Sequence, residues 1–309
     1  MPQKIRIGVG YAVARNAVHS AEEIMEYGEL LEDLGIDSVW PSDHIVSRQP
    51  SLDVNLVMAF LAARTKKLKM GPSVLTMPSR HPIHVAKTYA TLDHLTGGRR
   101  RIILAVGLGA DRREVTSVGI PTEARGARMR EGVEILRRLF TEKKVTHQGR
   151  FYQFEDVTID PQPVGGSLDI WLGGNSDLAL KRVARYGDGW MPSFITPGEF
   201  AAGIEKLTGF ATGTGRKVDQ DEAGVLIPTH VTDDAKGARA LMEKFLARAP
   251  VAQKDFAERY AIGSAEAVRE RVAAFAEKGC TKFILFPIGA ADLKEQAQAI
   301  GKGVVPHFS

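Results

Sequence analysis

Residues Met70 to Gly109 place an apolar run, an amphipathic helix and a second apolar run in one unbroken stretch. A strand, crossover helix and strand of this length form a βαβ unit, whose hand is expected to be right-handed. Met70 to Leu75 is short, rich in β-formers and interrupted by Gly71 and Pro72, as in a buried strand with an irregularity. Pro82 pre-sets a first helical turn, and Val85, Tyr89, Leu92 and Leu95 recur on one helix face before Gly97 and Gly98 stop it. Ile102 to Val106 is continuously aliphatic, the pattern of a strand covered on both faces, and the Gly107 to Gly109 turn follows.

The alternation continues on both sides. Ile5 to Val9 reads as a first strand and Ser38 to Trp40 as a second, separated by a helix carrying Ile24, Tyr27, Leu31 and Leu34. Ser20 and Glu23 are spaced to form a capping box at its start. A short helix is expected over Leu56 to Ala63, and one from about Glu123 to Phe140. Val145 to Ile159 breaks the rhythm, with β-formers flanking Gly149, and reads as an inserted hairpin. Asp169 to Leu172, Gly189 to Met191, Val225 to Val231 and Lys282 to Phe286 give strands five to eight. A helix over Leu178 to Tyr186, two or three after strand seven and a last one from about Ala291 to Ile300 complete the series. Eight strands separated by helices predict an α/β chain folded as a (β/α)8 TIM barrel, one domain over residues 1–309 with a hairpin inserted at about 145–160; the alternative is a doubly wound sheet.

With 44% hydrophobic and 25% charged residues, 309 residues suffice to bury a large core. The early first strand leaves no room for a signal segment, and no apolar run approaches the roughly 20 residues that span a bilayer. A cytoplasmic protein acting without a membrane is expected. The net charge of +4 is scattered, and its one dense run, Arg99 to Arg101, reads as a solvated turn, so no nucleic-acid partner is expected. Cys280 is the only cysteine, which excludes intrachain disulfides and cysteine-based zinc sites.

In a barrel the chemistry lies in the loops after the strands. Those loops carry Ser42, Asp43 and His44; Thr76, Arg80 and His81; Gly107 to Asp111; Gly173 to Ser176; Asp188 and Trp190; and His230 lies within or after strand seven. His44 or His81 offers a group that titrates near neutrality, Arg80 a cation for an anionic ligand, and Trp40 and Trp190 stacking surfaces. Asp43 beside His44 reads either as tuning that imidazole or as a turn-former. Gly107 to Gly109 lacks the third glycine of a dinucleotide fingerprint and reads as a close approach to a planar ligand or as a tight turn. Gly173, Gly174, Asn175 and Ser176 precede an amphipathic helix, where free amides suit a phosphate, an ordinary capped turn being the alternative. No histidine and carboxylate spacing suggests a metal, and no serine occupies a GxSxG elbow.

These residues fall in motifs that resemble the bacterial luciferase-like monooxygenase superfamily of flavin- and deazaflavin-dependent oxidoreductases. The motifs are WPSDH (Trp40 to His44), RHPIHVAKTYATLDHLTGGR (Arg80 to Arg99), AVGLG (Ala105 to Gly109), RGARMREGVEILRRLF (Arg125 to Phe140) and IWLGGNSDLALKRVARYGDGW (Ile170 to Trp190). The resemblance implies a homodimeric barrel holding FMN or coenzyme F420 at its C-terminal mouth, with a small-molecule substrate and a separate flavin or F420 reductase as partners. It implies Asp43 and His44 near the reactive ring, His44 as acid or base. Ser73, Val74 and Thr76 would support the ring, often through a bulge with a non-proline cis peptide, and Gly107 and Gly109 would line its face. Gly173, Gly174, Asn175 and Ser176 would bind the cofactor phosphate.

Two chemistries follow from the resemblance: oxygen insertion with reduced FMN, or hydride transfer with the deazaflavin. Some deazaflavin dehydrogenases carry a glutamate directly after the GxG turn; here Ala110 stands there and the acid follows as Asp111. A noncatalytic flavin-binding barrel is the alternative, and a cofactor-free hydrolase or aldolase using His44 and Asp43 lacks an accompanying lysine or metal cluster. Specificity is expected to reside in Ser47 to Leu52, the Val145 to Ile159 insertion and the segment after Trp190.

Overall fold

A computed structural model of the chain describes residues 4–11, 19–47, 50–212, 214–216, 222–247, 256–289 and 292–308. Parallel strands β1 (Arg6–Tyr11), β2 (Ser38–Pro41) and β3 (Lys69–Met70) lie side by side, with Gly8 opposite Ser38 and Ser38 opposite Lys69. The next strands are β4 (Leu75–Thr76), β5 (Ile103–Gly107), the antiparallel hairpin β6 (Val145–Gln148) and β7 (Gln153–Val157), then β8 (Asp169–Gly173) and β9 (Gly189–Met191). They are followed by β10 (Gly224–Val231), β11 (Ala261–Gly263) and β12 (Lys282–Pro287).

Pairing runs β4-β5-β8-β9 in one sheet and β10-β12-β1-β2-β3 in the other, all parallel. Single bridges from Met70 to Ile102, Trp190 to Ala223 and Ser193 to Leu226 join the two sheets into a closed (β/α)8 barrel. The expected third strand is two short pieces, because Gly71 to Val74 leave the ladder between them; the Ser73–Val74 peptide is cis. β11, absent from the sequence reading, adds three residues beside the end of β10.

The helices are α1 (Ala21–Asp33), α2 (Val54–Arg64), α3 (Pro82–Leu95), α4 (Arg113–Thr116), α5 (Arg125–Thr141), α6 (Asp177–Tyr186), α7 (Pro197–Ala211), α8 (Ala235–Leu246), α9 (Ala265–Ala276) and α10 (Leu293–Gly303). The capping box of α1 is formed in both directions, Ser20 N–H to Glu23 Oε2 at 2.7 Å and Glu23 N–H to Ser20 Oγ at 3.2 Å. α5 begins two residues later than expected, after a single tight turn over Thr122–Ala124. α10 begins at Leu293, capped by Asp292; its expected start at Ala291 lies outside the described residues, as do 48 and 49 of the expected specificity loop. Among the described residues no helix is long and apolar enough to cross a membrane.

Strand alternation divides the core in two. Outward-facing residues such as Val9, Val39, Leu104, Val106, Ile170 and Leu172 pack under the helices in the larger cluster. Inward-facing Trp40, Ile103, Ala105, Trp171, Met191, Leu226 and Ile284 fill the barrel, with Val74 and Phe286 against them. Trp40 stacks on Trp171 at 5.6 Å and 27°. The pair floors a crevice of about 250 Å³ at the N-terminal ends of the strands, rimmed by the ion pairs Lys69–Asp37, Arg100–Asp169 and Lys282–Glu222. Trp40 therefore belongs to the barrel filling. Trp190 faces outward, stacked on Phe200 of α7 at 5.7 Å, because its position in β9 alternates with the inward Met191. Neither tryptophan offers the ligand-stacking surface expected from the sequence.

Candidate active site

At the opposite end the strand exits converge on a cavity of about 360 Å³. Asp43, His44, Ser73, Val74, Thr76, Gly107, Gly109, Gly173, Gly174 and Ser176 all line it; Asn175 does not. Val74 lines it and packs against the inner core. A β-carbon on Gly107 would collide with the Val74 side chain, and one on Gly173 would lie 3.3 Å from it. The glycines let the ends of β5 and β8 close around the Val74 isopropyl group, which leaves an apolar platform there. The Ser73 hydroxyl donates to the Trp40 carbonyl at 3.1 Å, and the Arg125 guanidinium donates to the Gly109 carbonyl at 3.1 Å, so both flanks of the platform are tied down.

Asp43 and His44 have separate partners. The Asp43 carboxylate receives two bonds from Arg80, each 2.8 Å, and the Thr76 amide at 2.9 Å. Its side chain is 1% exposed and that of Arg80 15%. Burial pushes the Asp43 carboxyl above its ordinary range, and the paired guanidinium and the amide limit that rise. Arg80 is thus committed to Asp43, a correction to its expected role as a free cation for a ligand. His44 Nδ1–H donates to Glu114 Oε1 at 3.0 Å, while Glu114 Oε2 accepts the Ile45 amide at 2.9 Å. Glu114 is 2% exposed and His44 45%, so a buried carboxylate fixes the tautomer and orientation of an accessible imidazole.

Glu114 was missed because it lies 70 residues from His44 in the chain, and only the barrel brings them together. The nearer acid, Asp111, pairs instead with Arg113. His81 sits outside the cavity and caps α3, its Nδ1 accepting the Ile83 amide at 3.3 Å. His230 Nδ1–H donates to the Ile288 carbonyl at 2.9 Å. Asp188 precedes β9, at its N-terminal end, where it pairs with Arg137 and Arg216 and accepts the Ile170 amide. These three serve the scaffold.

At the far side of the cavity Ser176 caps α6, its hydroxyl accepting the Ala179 amide at 3.2 Å. Gly174, with φ of +110°, carries the chain into the helix through a conformation that favours glycine. Asn175 Nδ2 donates to the Ser193 carbonyl at 2.7 Å and so ties this loop to the one after β9. Arg182 also lines the cavity; its Nε is buried without a hydrogen-bond partner, and burial, then the nearby Arg130, lowers its proton affinity. The motif around α6 contained Arg182, but that its side chain reaches the cavity from the second turn of the helix is set by packing and was not readable from the sequence. An apolar platform at Val74, the N-terminus of α6, the unpartnered guanidinium of Arg182 and an oriented imidazole thus surround one space.

The profile of a family described as luciferase-like monooxygenase matches residues 4–282. The chain is 30% identical over 217 residues to 5,10-methylenetetrahydromethanopterin reductase of Archaeoglobus fulgidus, covering 70% of this chain and 63% of that protein. It is 35% identical over 179 residues to F420-dependent glucose-6-phosphate dehydrogenase of Intrasporangium calvum, covering 55% of this chain and 53% of the relative. The matches therefore span between about half and two thirds of the length of these relatives. An F420-dependent secondary alcohol dehydrogenase, solved with an F420–acetone adduct, superposes with a TM-score of 0.83 at 22% identity, over 99% of both chains. A monooxygenase from Streptomyces bottropensis superposes with a TM-score of 0.82, also at 22%, over 99% of this chain and 100% of the other. At such identity these superpositions establish the fold.

Proposed function

Because the chain belongs to the luciferase-like monooxygenase family, we propose that it is an F420-dependent oxidoreductase that transfers hydride to or from a small organic substrate, with His44 exchanging the accompanying proton. The observation that carries this reading is the accessible His44 held at 3.0 Å by the buried Glu114 beside the cavity. The names of the relatives matched by sequence, F420-dependent dehydrogenases among them, support the deazaflavin over FMN.

The residues fit such a cofactor. Val74, between Gly107 and Gly173, would carry a planar ring, while Gly174, Ser176 and the unpartnered Arg182 would hold a phosphate. Bound coenzyme F420 supplies a hydride, two electrons and one proton, to a substrate carbon or receives it from one. Glu114 holds the His44 Nδ1–H, which directs Nε2 to proton exchange with the substrate. Asp43 and Arg80 hold the Thr76 amide and with it the segment carrying Val74. Ala110 leaves no carboxylate directly after the GxG turn, so His44 is the group assigned to proton transfer.

Absorbance titration of the purified protein with coenzyme F420 and with FMN tests the reading. Saturable binding of F420 and slow or absent reaction of the reduced complex with oxygen are expected. Binding of FMN alone, or of neither, refutes it.

A further inference from the structure

We infer that Arg182, beside Gly126, and Arg130, one helical turn further along α5, form an anion-binding notch that leads outward from the cavity and holds a second anionic group carried by a ligand beyond its phosphate. The inference deepens the proposed function and rests on it for the identity of the ligand, though not for the anion binding itself.

Arg182 lines the cavity from α6, and its Nη1 lies against the start of α5, where a β-carbon on Gly126 would stand 3.7 Å from it. The bare glycine leaves room for the guanidinium between the two helices. Arg130 follows Gly126 on the same face of α5, about 6 Å along the axis. Helical side chains lean towards the N-terminus, which carries Arg130 back over the glycine. Its charge is felt at Arg182, whose proton affinity it lowers after burial has done so, and no carboxylate raises that affinity again. Arg130 is exposed and makes no ion pair or hydrogen bond among the described residues. Glu134, the next acid along α5, acts on the Tyr186 phenol instead. Two like charges held near each other with no anion beside them oppose folding, and an arriving anion reverses that cost.

The neighbouring arginines narrow the choice further. Arg125 donates to the Thr122 and Gly109 carbonyls, and Arg128 donates to the Pro78 carbonyl and covers the Tyr152 ring at 4.5 Å. Arg130 and Arg182 are left for a ligand. A phosphate at Gly174 and Ser176 engages Arg182, while Arg130 lies a turn away, in reach of a further phosphate or carboxylate that its planar fork can bind through two donors. Coenzyme F420 carries glutamyl carboxylates beyond its phosphate and FMN carries none, so the notch suits the deazaflavin.

The test measures binding of orthophosphate and of tripolyphosphate to the cofactor-free full chain by calorimetry, and binding of F420 and FMN by absorbance, in wild type, Arg130→Gln and Arg130→Lys. Tripolyphosphate is expected to bind wild type more tightly than orthophosphate. Arg130→Gln should weaken tripolyphosphate and F420 about threefold to fivefold, the scale of one exposed ion pair, with orthophosphate and FMN within about twofold of wild type. Arg130→Lys keeps the charge and recovers most of the loss. The Tm of Arg130→Gln does not fall, because the substitution removes a like-charge neighbour of Arg182. Tripolyphosphate binding that is absent from wild type, unchanged in Arg130→Gln, or weakened no more than that of orthophosphate overturns the inference. If F420 does not bind while tripolyphosphate binding still depends on Arg130, the cofactor reading falls and the notch stands.

Discussion

Replacing Asp43 by asparagine separates its two conceivable roles, support of the site and chemistry within it. The carboxylate has 1% of its side chain exposed and takes two 2.8 Å bonds from Arg80 together with the Thr76 amide. Asparagine keeps an acceptor for the amide but leaves the guanidinium without its anion. Breaking a buried pair from one side costs about 3 to 5 kcal/mol. Arg80 retains 15% exposure and lines an open groove with His81 and His84, so water relieves part of that cost and the lower end, about 3 kcal/mol, applies. For a chain of 309 residues, an unfolding entropy of about 2.1 cal/mol/K per residue converts this to a fall in Tm of about 5 °C. Urea unfolding followed by circular dichroism gives the free energy, and the double variant Asp43→Asn with Arg80→Met is expected to cost about 2 kcal/mol less than the two single losses added. An Asp43→Asn protein within about 1 kcal/mol of wild type, with additive losses, would refute the supporting role.

Arg182→Met is expected to weaken binding of phosphate-bearing FMN or F420 about tenfold while riboflavin, which lacks the phosphate, binds as before; equal losses for FMN and riboflavin would contradict the phosphate assignment. Glu114→Gln should lower turnover about tenfold to a hundredfold with cofactor affinity unchanged, since the imidazole loses its anionic partner. Single-turnover kinetics check this, and undiminished hydride transfer would rule it out. His81 protonates less readily than an ordinary histidine, first because of burial and then because of His84 and Arg128. Its neutral Nδ1 is the acceptor that caps α3. With the folded-state pKa depressed, its contribution is complete above the unfolded value of about 6.5 and is lost as pH falls through the folded one. His81→Asn, which keeps a capping acceptor without a titrating ring, should flatten the decline in urea midpoint below about pH 6.5; an unchanged slope would exclude His81 as its source.

The eight-strand rhythm was readable because each strand is an apolar run and each helix an amphipathic one, properties carried by neighbouring residues. The three-residue β11 and the divided third strand have too little periodicity to announce their pairing. The strand exits brought the expected glycines, Asp43 and His44 to one cavity, since the barrel makes that end common to all of them. Which partner each group takes was not readable. Asp43 turned to Arg80 and His44 to Glu114, contacts set by the closure of the barrel across 37 and 70 residues of sequence. The tryptophans failed as stacking surfaces for a related reason. Whether a strand side chain points inward or outward depends on barrel registration, which places Trp40 on Trp171 and Trp190 on Phe200.

The stacked Trp40 and Trp171, with the inner side chains above them, fill the barrel between the N-terminal crevice and the cavity at the C-terminal end. A ligand seated over Val74 would therefore exchange with solvent from the C-terminal side, past any second ligand bound above it. Two ligands stacked one above the other there would bind in compulsory order, the deeper one first on and last off.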